Sequence, residues 1–204
     1  MNTNQKTLKQ YRKNLRVWFE RATPSEMADG LTWYGEANAF ANSLSMKYGV
    51  SPVAAAGVIS ALSPNNKWER NKIDAESVIK AALNGVPEDQ VKVCTYNANK
   101  AKAFKIVKED AHSRFITLKE SPKTFAFAKN VGDRDESHVT IDKWHLRAMQ
   151  TISESPKEVS TSCTPKQYRI FEAEALRVAK EKGMKGYEFQ AIVWVTIRNR
   201  WMNG

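Results

Sequence analysis

The feature of this sequence that most constrains its fold is a repeated helix-start signal, a Ser or Thr followed directly by Pro. Each of four such pairs precedes a run with helical periodicity: Thr23-Pro24, Ser51-Pro52, Ser121-Pro122 and Thr164-Pro165. A Ser or Thr side chain caps the free N–H groups of a helix, and Pro suits the first helical position. No segment alternates polar and apolar residues for more than four positions. The sequence therefore predicts an all-α fold.

Length, charge and hydropathy narrow the class of protein further. The chain has 204 residues, a formal net charge of +10 at pH 7 and a hydrophobic content of 42%. This length suits one domain, or one domain built of two lobes. The positive excess favours a polyanionic partner, most commonly nucleic acid. No apolar run approaches the roughly 18 residues of a membrane span, and the N-terminus lacks the apolar core of a signal peptide. The expected location is the cytoplasm, without a membrane partner.

Metal and nucleotide chemistry find no support in the sequence. Cys94 and Cys163 are too few for a four-cysteine zinc or iron–sulfur site, and both are expected to be free thiols. His112, His138 and His145 have no metal-ligand spacing. Neither a GxxxxGK[ST] loop nor a GxGxxG loop is present. We therefore expect no metal and no cofactor.

The stretch from Lys119 to Met149 contains the most informative pair, Lys123 and Asp142. It reads as a helix opened at Ser121-Pro122, a charged loop, the short apolar run Val139-Thr140-Ile141, and a second helix opened by Asp142. The apolar run is too short and too apolar for free surface, so it should be anchored to the core. Asp142 is then either a simple N-cap or an anchored functional carboxylate, and Lys123 is either a surface lysine or a functional amine.

Four segments, in order, resemble the helix-hairpin-helix DNA glycosylase superfamily, in particular its endonuclease III-like branch. They are VAAAGVISALSPNNKWERNKIDAESVI, NANKAKAFKIVKED, LKESPKT and VTIDKWHLRAM. The chain departs from that family at LKESPKT, which stands where the family has a hairpin with two glycines. In addition, Pro122 lacks the backbone amide donor that other residues would offer to a phosphate. A second departure is His145, which falls one place later than the family histidine. These departures also resemble a divergent, phage-associated set of glycosylase-like proteins linked to hypermodified thymines.

The resemblance implies a two-lobed helix-hairpin-helix fold with the site in the cleft between lobes. One lobe would be residues 50–152. The other would combine residues 1–49 with 164–204, and residues 153–163 would form the connecting loop.

The resemblance also implies roles for individual residues. Asp142 would be the catalytic carboxylate, which stabilises an oxocarbenium-like sugar or activates a nucleophile. Lys123 would match the lysine that forms a Schiff base with the sugar in bifunctional members. The residues expected to bind DNA are Ser63, Asn65 and Asn66 in a gap-filling loop, Lys119 and Ser121 in the hairpin, and Lys143 and Arg147 in the helix after Asp142.

Four further residues are candidates for a base pocket: Trp144, His145, Gln190 and Trp194. Trp144 and His145 flank Asp142, although a histidine in a first helical turn is more often a structural hydrogen bonder. Gln190, Trp194 and Arg198 recur at helical spacing and share one face. That stripe either reads a base or phosphate, or is an interface buried against the N-terminal helices. The loop 63–66 is likewise either a DNA contact or an ordinary Ser-Pro-Asn turn.

The predicted function is DNA glycosylase-like chemistry on a flipped base or its N-glycosidic bond, in a monomer acting on duplex DNA in a bacterial or phage-infected cytoplasm. Two alternatives stay open at this stage. One is a catalytically silent DNA-binding protein of the same fold. The other is a base-modifying transferase or pyrophosphorylase of phage type. The sequence does not specify the base, nor hydrolysis against lyase chemistry.

Overall fold

The computed structural model describes residues 1–203, and this part of the chain folds into α-helices without a β-strand, as predicted. A short 3₁₀ turn at Glu88–Gln90 connects two of the helices. The helices are α1 (Gln5–Glu20), α2 (Pro24–Tyr48), α3 (Pro52–Leu62), α4 (Trp68–Leu83), α5 (Asn97–Glu109), α6 (Pro122–Gly132), α7 (Lys143–Gln150), α8 (Pro165–Glu181) and α9 (Gly186–Asn203).

At three of the four predicted Ser-Pro or Thr-Pro helix starts, the Ser or Thr side chain makes a capping hydrogen bond. At Thr164 the side chain accepts from the Gln167 backbone N–H, and Gln167 returns the bond, which completes a capping box. Thr23 and Glu26 exchange the same two bonds, at 3.2 and 2.9 Å. Ser51 accepts from the Ala54 backbone N–H. Local side-chain chemistry therefore fixes where α2, α3 and α8 begin.

The helices α5 and α6 begin without a side-chain cap. Ser121 occupies the N-cap position of α6, but its side chain makes no capping bond. In α5 the cap position is taken by Tyr96, which also makes no side-chain bond. Side-chain capping therefore does not fix where these two helices begin.

The helices group into two compact units, of which one contains Met1–Gly35 and the chain from Asp135 onward. Its helices are α1, the first part of α2, and α7 to α9. Trp18, Leu15 and Phe171 are completely buried in its core. Gly30 of α2 lies so close to α9 that an added Cβ would come within 2.6 Å of the Ile192 Cα. This close packing fixes α2 against α9 in the unit that contains Asp142.

Residues 139–141 are anchored as the sequence predicts. Val139 and Ile141 are buried, and two buried side chains of α8, Tyr168 and Glu172, hold the segment. The Tyr168 hydroxyl donates to the Val139 carbonyl at 2.8 Å and accepts from the Ile141 N–H at 3.0 Å. Glu172 accepts from the Val139 N–H at 3.0 Å. These bonds satisfy an extended segment that has no sheet partner, and they fix the start of α7.

The second unit is Glu36–Arg134 and is built around α3, every residue of which is buried from Ala54 to Leu62. Ser60 of α3 donates to the Thr124 carbonyl at 2.6 Å, which ties the first turn of α6 to this central helix. The lobes that the family resemblance implies, 1–49 with 164–204 and 50–152, stay a prediction.

Residues 151–164, between α7 and α8, contain no helix. Trp18 donates its indole N–H to the Thr151 carbonyl at 2.7 Å, and Trp201 donates to the Ser153 carbonyl at 2.8 Å. The beginning of this loop is therefore fixed to α1 and α9. Nowhere in residues 1–203 is a helix both long and apolar enough to traverse a bilayer.

Candidate functional site

Asp142 is the N-cap of α7, and both of its carboxylate oxygens are engaged. Oδ1 accepts from the backbone N–H groups of Trp144 and His145, each at 2.9 Å. Oδ2 accepts from the indole N–H of Trp194 on α9 at 3.0 Å. The residue is half-buried. The predicted N-cap is confirmed, and in addition the carboxylate is fixed in orientation by a side chain from another helix.

Trp194 joins this carboxylate to further aromatic and cationic groups. Its ring centroid lies 6.0 Å from that of Trp33 on α2, with the planes tilted by 56°. The Arg198 guanidinium carbon lies 4.7 Å from the Trp194 ring centroid. Trp33 and Trp194 are half-buried, so part of each ring remains accessible. Trp194 and Arg198 of the predicted stripe are therefore in contact on α9, and Trp194 connects them to Asp142.

A second cluster, here called the Arg147 stack, consists of Trp144, Arg147 and Trp201. The Arg147 guanidinium carbon lies 4.6 Å from the Trp144 ring centroid and 5.3 Å from that of Trp201. The two tryptophans meet edge to face, with centroids 6.2 Å apart. The Lys143 ammonium lies 5.8 Å from the Trp144 ring centroid. Two predicted DNA-binding residues, Arg147 and Lys143, therefore lie against one predicted base-pocket residue, Trp144.

Gln190, the third member of the predicted stripe, is buried rather than open to a ligand. Its side-chain oxygen accepts from the Tyr34 hydroxyl at 2.8 Å. Burial strongly raises the pKa of Tyr34, and the negative charge of Asp142 raises that pKa further. Tyr34 is therefore a neutral donor at all physiological pH values. For Gln190 the geometry is that of the buried helix interface, the plainer of the two interpretations of this stripe.

His145 lies wholly inside the unit, with no exposed surface. Among the residues described, neither of its ring nitrogens has a hydrogen-bond partner. Burial lowers the pKa of His145 to about 3. The imidazole is therefore neutral at pH 7. Its predicted role as a lining of the base pocket stays a prediction, whereas its position in the structure is that of a core residue.

The predicted gap-filling loop, residues 63–66, belongs to the Glu36–Arg134 unit. Asn65 is exposed, has a left-handed backbone with φ 58°, and donates to the Tyr96 hydroxyl. Asn66 donates to the buried Asp74 carboxylate at 2.9 Å. The Ser63 hydroxyl donates to the Ser60 carbonyl at 2.9 Å. Asn66 and Ser63 thus hold the loop in place, and Asn65 is the member that presents its side chain outward.

The predicted hairpin lies in the same unit and ends at α6. Lys119 is exposed, whereas Ser121 and Lys123 are half-buried, with Lys123 in the first turn of α6. Lys123 and Asp142 belong to different compact units. The expectation that the two side chains face one cleft stays a prediction.

Trp33 and Trp201 were not among the predicted site residues. Trp201 follows Trp194 by seven positions, so the stripe on α9 extends to it at helical spacing. Trp33 has no comparable signal, because its partner lies on a helix distant in sequence.

Across residues 1–203, no three His, Cys, Asp or Glu side chains are grouped so that they could hold a metal ion.

The fold and this site define an all-α protein with an anchored carboxylate among partly exposed tryptophans and arginines. The chain belongs to the family of unknown function DUF7178, whose family model matches residues 1–201. No curated protein and no solved structure matches the chain.

Proposed function

We propose that this protein is a DNA glycosylase-like enzyme that acts on an extruded base, or on the N-glycosidic bond of that base, with Asp142 as the catalytic carboxylate. The observation that carries the proposal is the fixation of Asp142 by the α7 backbone at one oxygen and by Trp194 at the other. A carboxylate with a fixed orientation loses little freedom when charge develops beside it. This preorganisation is what electrostatic catalysis requires.

The surroundings of Asp142 suit a nucleic-acid substrate. Cleavage of a glycosidic bond develops positive charge on the sugar, which a carboxylate stabilises. Enzymes that act on a base take it out of the helical stack and hold it against aromatic rings. Trp33 and Trp194 offer partly exposed rings next to the carboxylate. Arg147, Arg198 and Lys143 supply positive charge in the same unit, and the chain as a whole carries a net charge of +10.

Lys123 adds a second possible step, by family resemblance. An amine that attacks the sugar C1′ displaces the base and forms a Schiff base, and loss of a proton from the sugar then leads to strand cleavage. Without this step the enzyme is a monofunctional glycosylase with Asp142 alone.

A catalytically silent DNA-binding protein is the second candidate, and the same hydrogen bonds favour it. Each oxygen of Asp142 already has a structural partner, so the residue would be retained as a cap even without chemistry. The hairpin from Lys119 to Pro122 contains no glycine, and Pro122 lacks an amide donor for phosphate.

Base release from a panel of duplexes with damaged and modified bases separates the two candidates. We expect Asp142→Asn to reduce release by about a hundredfold or more, because the charge is lost. The amide oxygen can still accept the two backbone bonds, so folding and DNA affinity should stay close to wild type. Asp133→Asn is the matched control, since Asp133 is exposed and pairs only with Lys129 among the ion pairs observed.

Retention of wild-type release in Asp142→Asn, within a factor of about three, would make Asp142 only a cap. No release by the wild-type protein from any duplex, together with tight duplex binding, would favour the silent DNA-binding protein.

A further inference from the structure

Arg147 has aromatic partners and no acidic one, in contrast to three other arginines of its unit. Arg12, Arg16 and Arg200 form ion pairs with Glu174, Glu181 and Glu26. Within residues 1–203, no carboxylate forms an ion pair with Arg147, although its side chain is half-buried. Partial burial of a cation without an anion costs free energy unless an anion binds there. The site therefore holds a guanidinium whose acidic partner is absent from this part of the chain.

The aromatic partners of Arg147 are themselves fixed. Trp201 is 7% exposed, and its indole N–H is bonded to the Ser153 carbonyl at 2.8 Å. Trp144 lies one helical turn before Arg147 on α7, and its backbone N–H is held by Asp142. Ring contacts with both tryptophans restrict the guanidinium before any ligand arrives. An arginine restricted in this way loses less side-chain entropy on binding than a free surface arginine does.

We infer that Arg147 binds a phosphodiester group of the nucleic-acid backbone, with Lys143 as a second cation one turn earlier on the same face of α7. Guanidinium N–H groups match phosphate oxygens in pairs, which is why arginine recognises phosphate so often. Lys143 is exposed and four residues before Arg147, so both charges reach the same side of the helix. Trp144 between them offers a ring on which a neighbouring base can stack.

The inference rests on the proposed function in taking nucleic acid as the ligand, but it does not require catalysis. It assigns to α7 two adjoining tasks. Asp142, at the N-terminus of α7, supplies the carboxylate. The Arg147 stack, further along the helix, would bind the DNA strand and fix its position relative to that carboxylate. A phosphate contact fixes position and carries no base specificity. Mutation of this stack should therefore lower the affinity for all duplexes to a similar extent, whatever their base sequence.

The test is the salt dependence of duplex binding, measured by fluorescence anisotropy with a labelled DNA of about 20 base pairs. Arg147→Gln should weaken binding at least about fivefold and reduce the slope of log affinity against log salt by about one. Arg147→Lys keeps the charge but loses the planar fork, so it should keep most of the slope and lose affinity. Arg169→Gln is the matched control, because Arg169 is exposed on α8 and its substitution removes an equal charge.

A second probe, tripolyphosphate, separates failure of this inference from failure of the proposed function. Binding at the stack should change tryptophan fluorescence in the wild-type protein and in Arg169→Gln, and not in Arg147→Gln. An unchanged salt slope in a folded Arg147→Gln, or tripolyphosphate quenching that survives in it, would overturn the inference. Tripolyphosphate binding at Arg147 without any duplex binding would also overturn it, since the phosphate would then belong to a small molecule. Loss of base release in Asp142→Asn is independent of all these outcomes.

Discussion

Asp142 and Trp194 are 52 residues apart in sequence and are joined by one hydrogen bond of 3.0 Å, from the indole N–H to Oδ2. The bond links the start of α7 to the middle of α9. It uses the carboxylate oxygen that the helix cap leaves available. Four predictions concern, in turn, Asp142, Trp194, His145 and Lys123.

The first concerns the two functions of the Asp142 side chain in stability. Asp142→Ala removes the cap and leaves the Trp194 N–H without its partner, so we expect a loss of about 2 kcal/mol or more in the free energy of unfolding. Asp142→Asn keeps the cap but places an amide against the indole donor, and should lose about 1 kcal/mol. Urea denaturation followed by circular dichroism measures both. Equal losses in the two variants would mean that the cap contributes nothing.

Trp194→Phe tests whether the indole bond orients the carboxylate. The phenyl ring preserves most of the packing and removes the donor. We expect about 1–2 kcal/mol lower stability and, if Asp142 is catalytic, about a tenfold lower rate of base release. Trp18→Phe is the control, because it removes an indole bond to the Thr151 carbonyl and none to Asp142. It should lose comparable stability without the same loss of rate. Equal rates in the two variants would argue against orientation by Trp194.

Buried His145 makes stability depend on pH in a defined direction. Its pKa is lowered by burial to about 3, below the ordinary value of 6.5. Between these values the unfolded chain binds the proton and the folded chain does not, so stability is complete above pH 6.5 and falls as the pH drops towards 3. From pH 7.5 to pH 5 we expect His145 to account for a loss of about 2 kcal/mol.

His145→Leu removes this contribution while the other titrating groups remain. Urea denaturation of both proteins at pH 7.5, 6 and 5 measures the difference. The wild type should lose about 2 kcal/mol relative to the variant across that range. Parallel pH profiles for the two proteins would show that His145 is protonated in the folded state or has the same pKa in both states.

Lys123 is tested by borohydride trapping. If the family resemblance extends to lyase chemistry, reduction should trap a covalent protein–DNA adduct in the wild type. Lys123→Ala should abolish the adduct, because the half-buried amine that attacks the sugar is gone. Lys92→Ala, at an exposed lysine outside the predicted site, should retain it. An adduct that persists in Lys123→Ala would exclude Lys123 as the nucleophile. Base release without any adduct would indicate a monofunctional glycosylase.

The sequence by itself determined the features that depend on near neighbours. Caps at Thr23, Ser51, Asp142 and Thr164 are formed within three residues of the capping side chain, so residue type and spacing predict them. The anchoring of residues 139–141 also followed from sequence, because an apolar run that ends in a cap must be buried. The helical spacing of residues 190, 194 and 198 placed them correctly on one face.

The tertiary structure alone decided which of these side chains meet. Ser121 has the residue type and the position of a cap, yet α6 begins without its side-chain bond, and the contact of Ser60 with Thr124 holds the turn instead. Burial of His145 and Gln190 could not be read from a stripe, since spacing gives a face and not its depth. The bond from Trp194 to Asp142 and the contact of Trp201 with Arg147 join residues far apart in the chain. Such pairs depend on how helices pack, which no local pattern encodes.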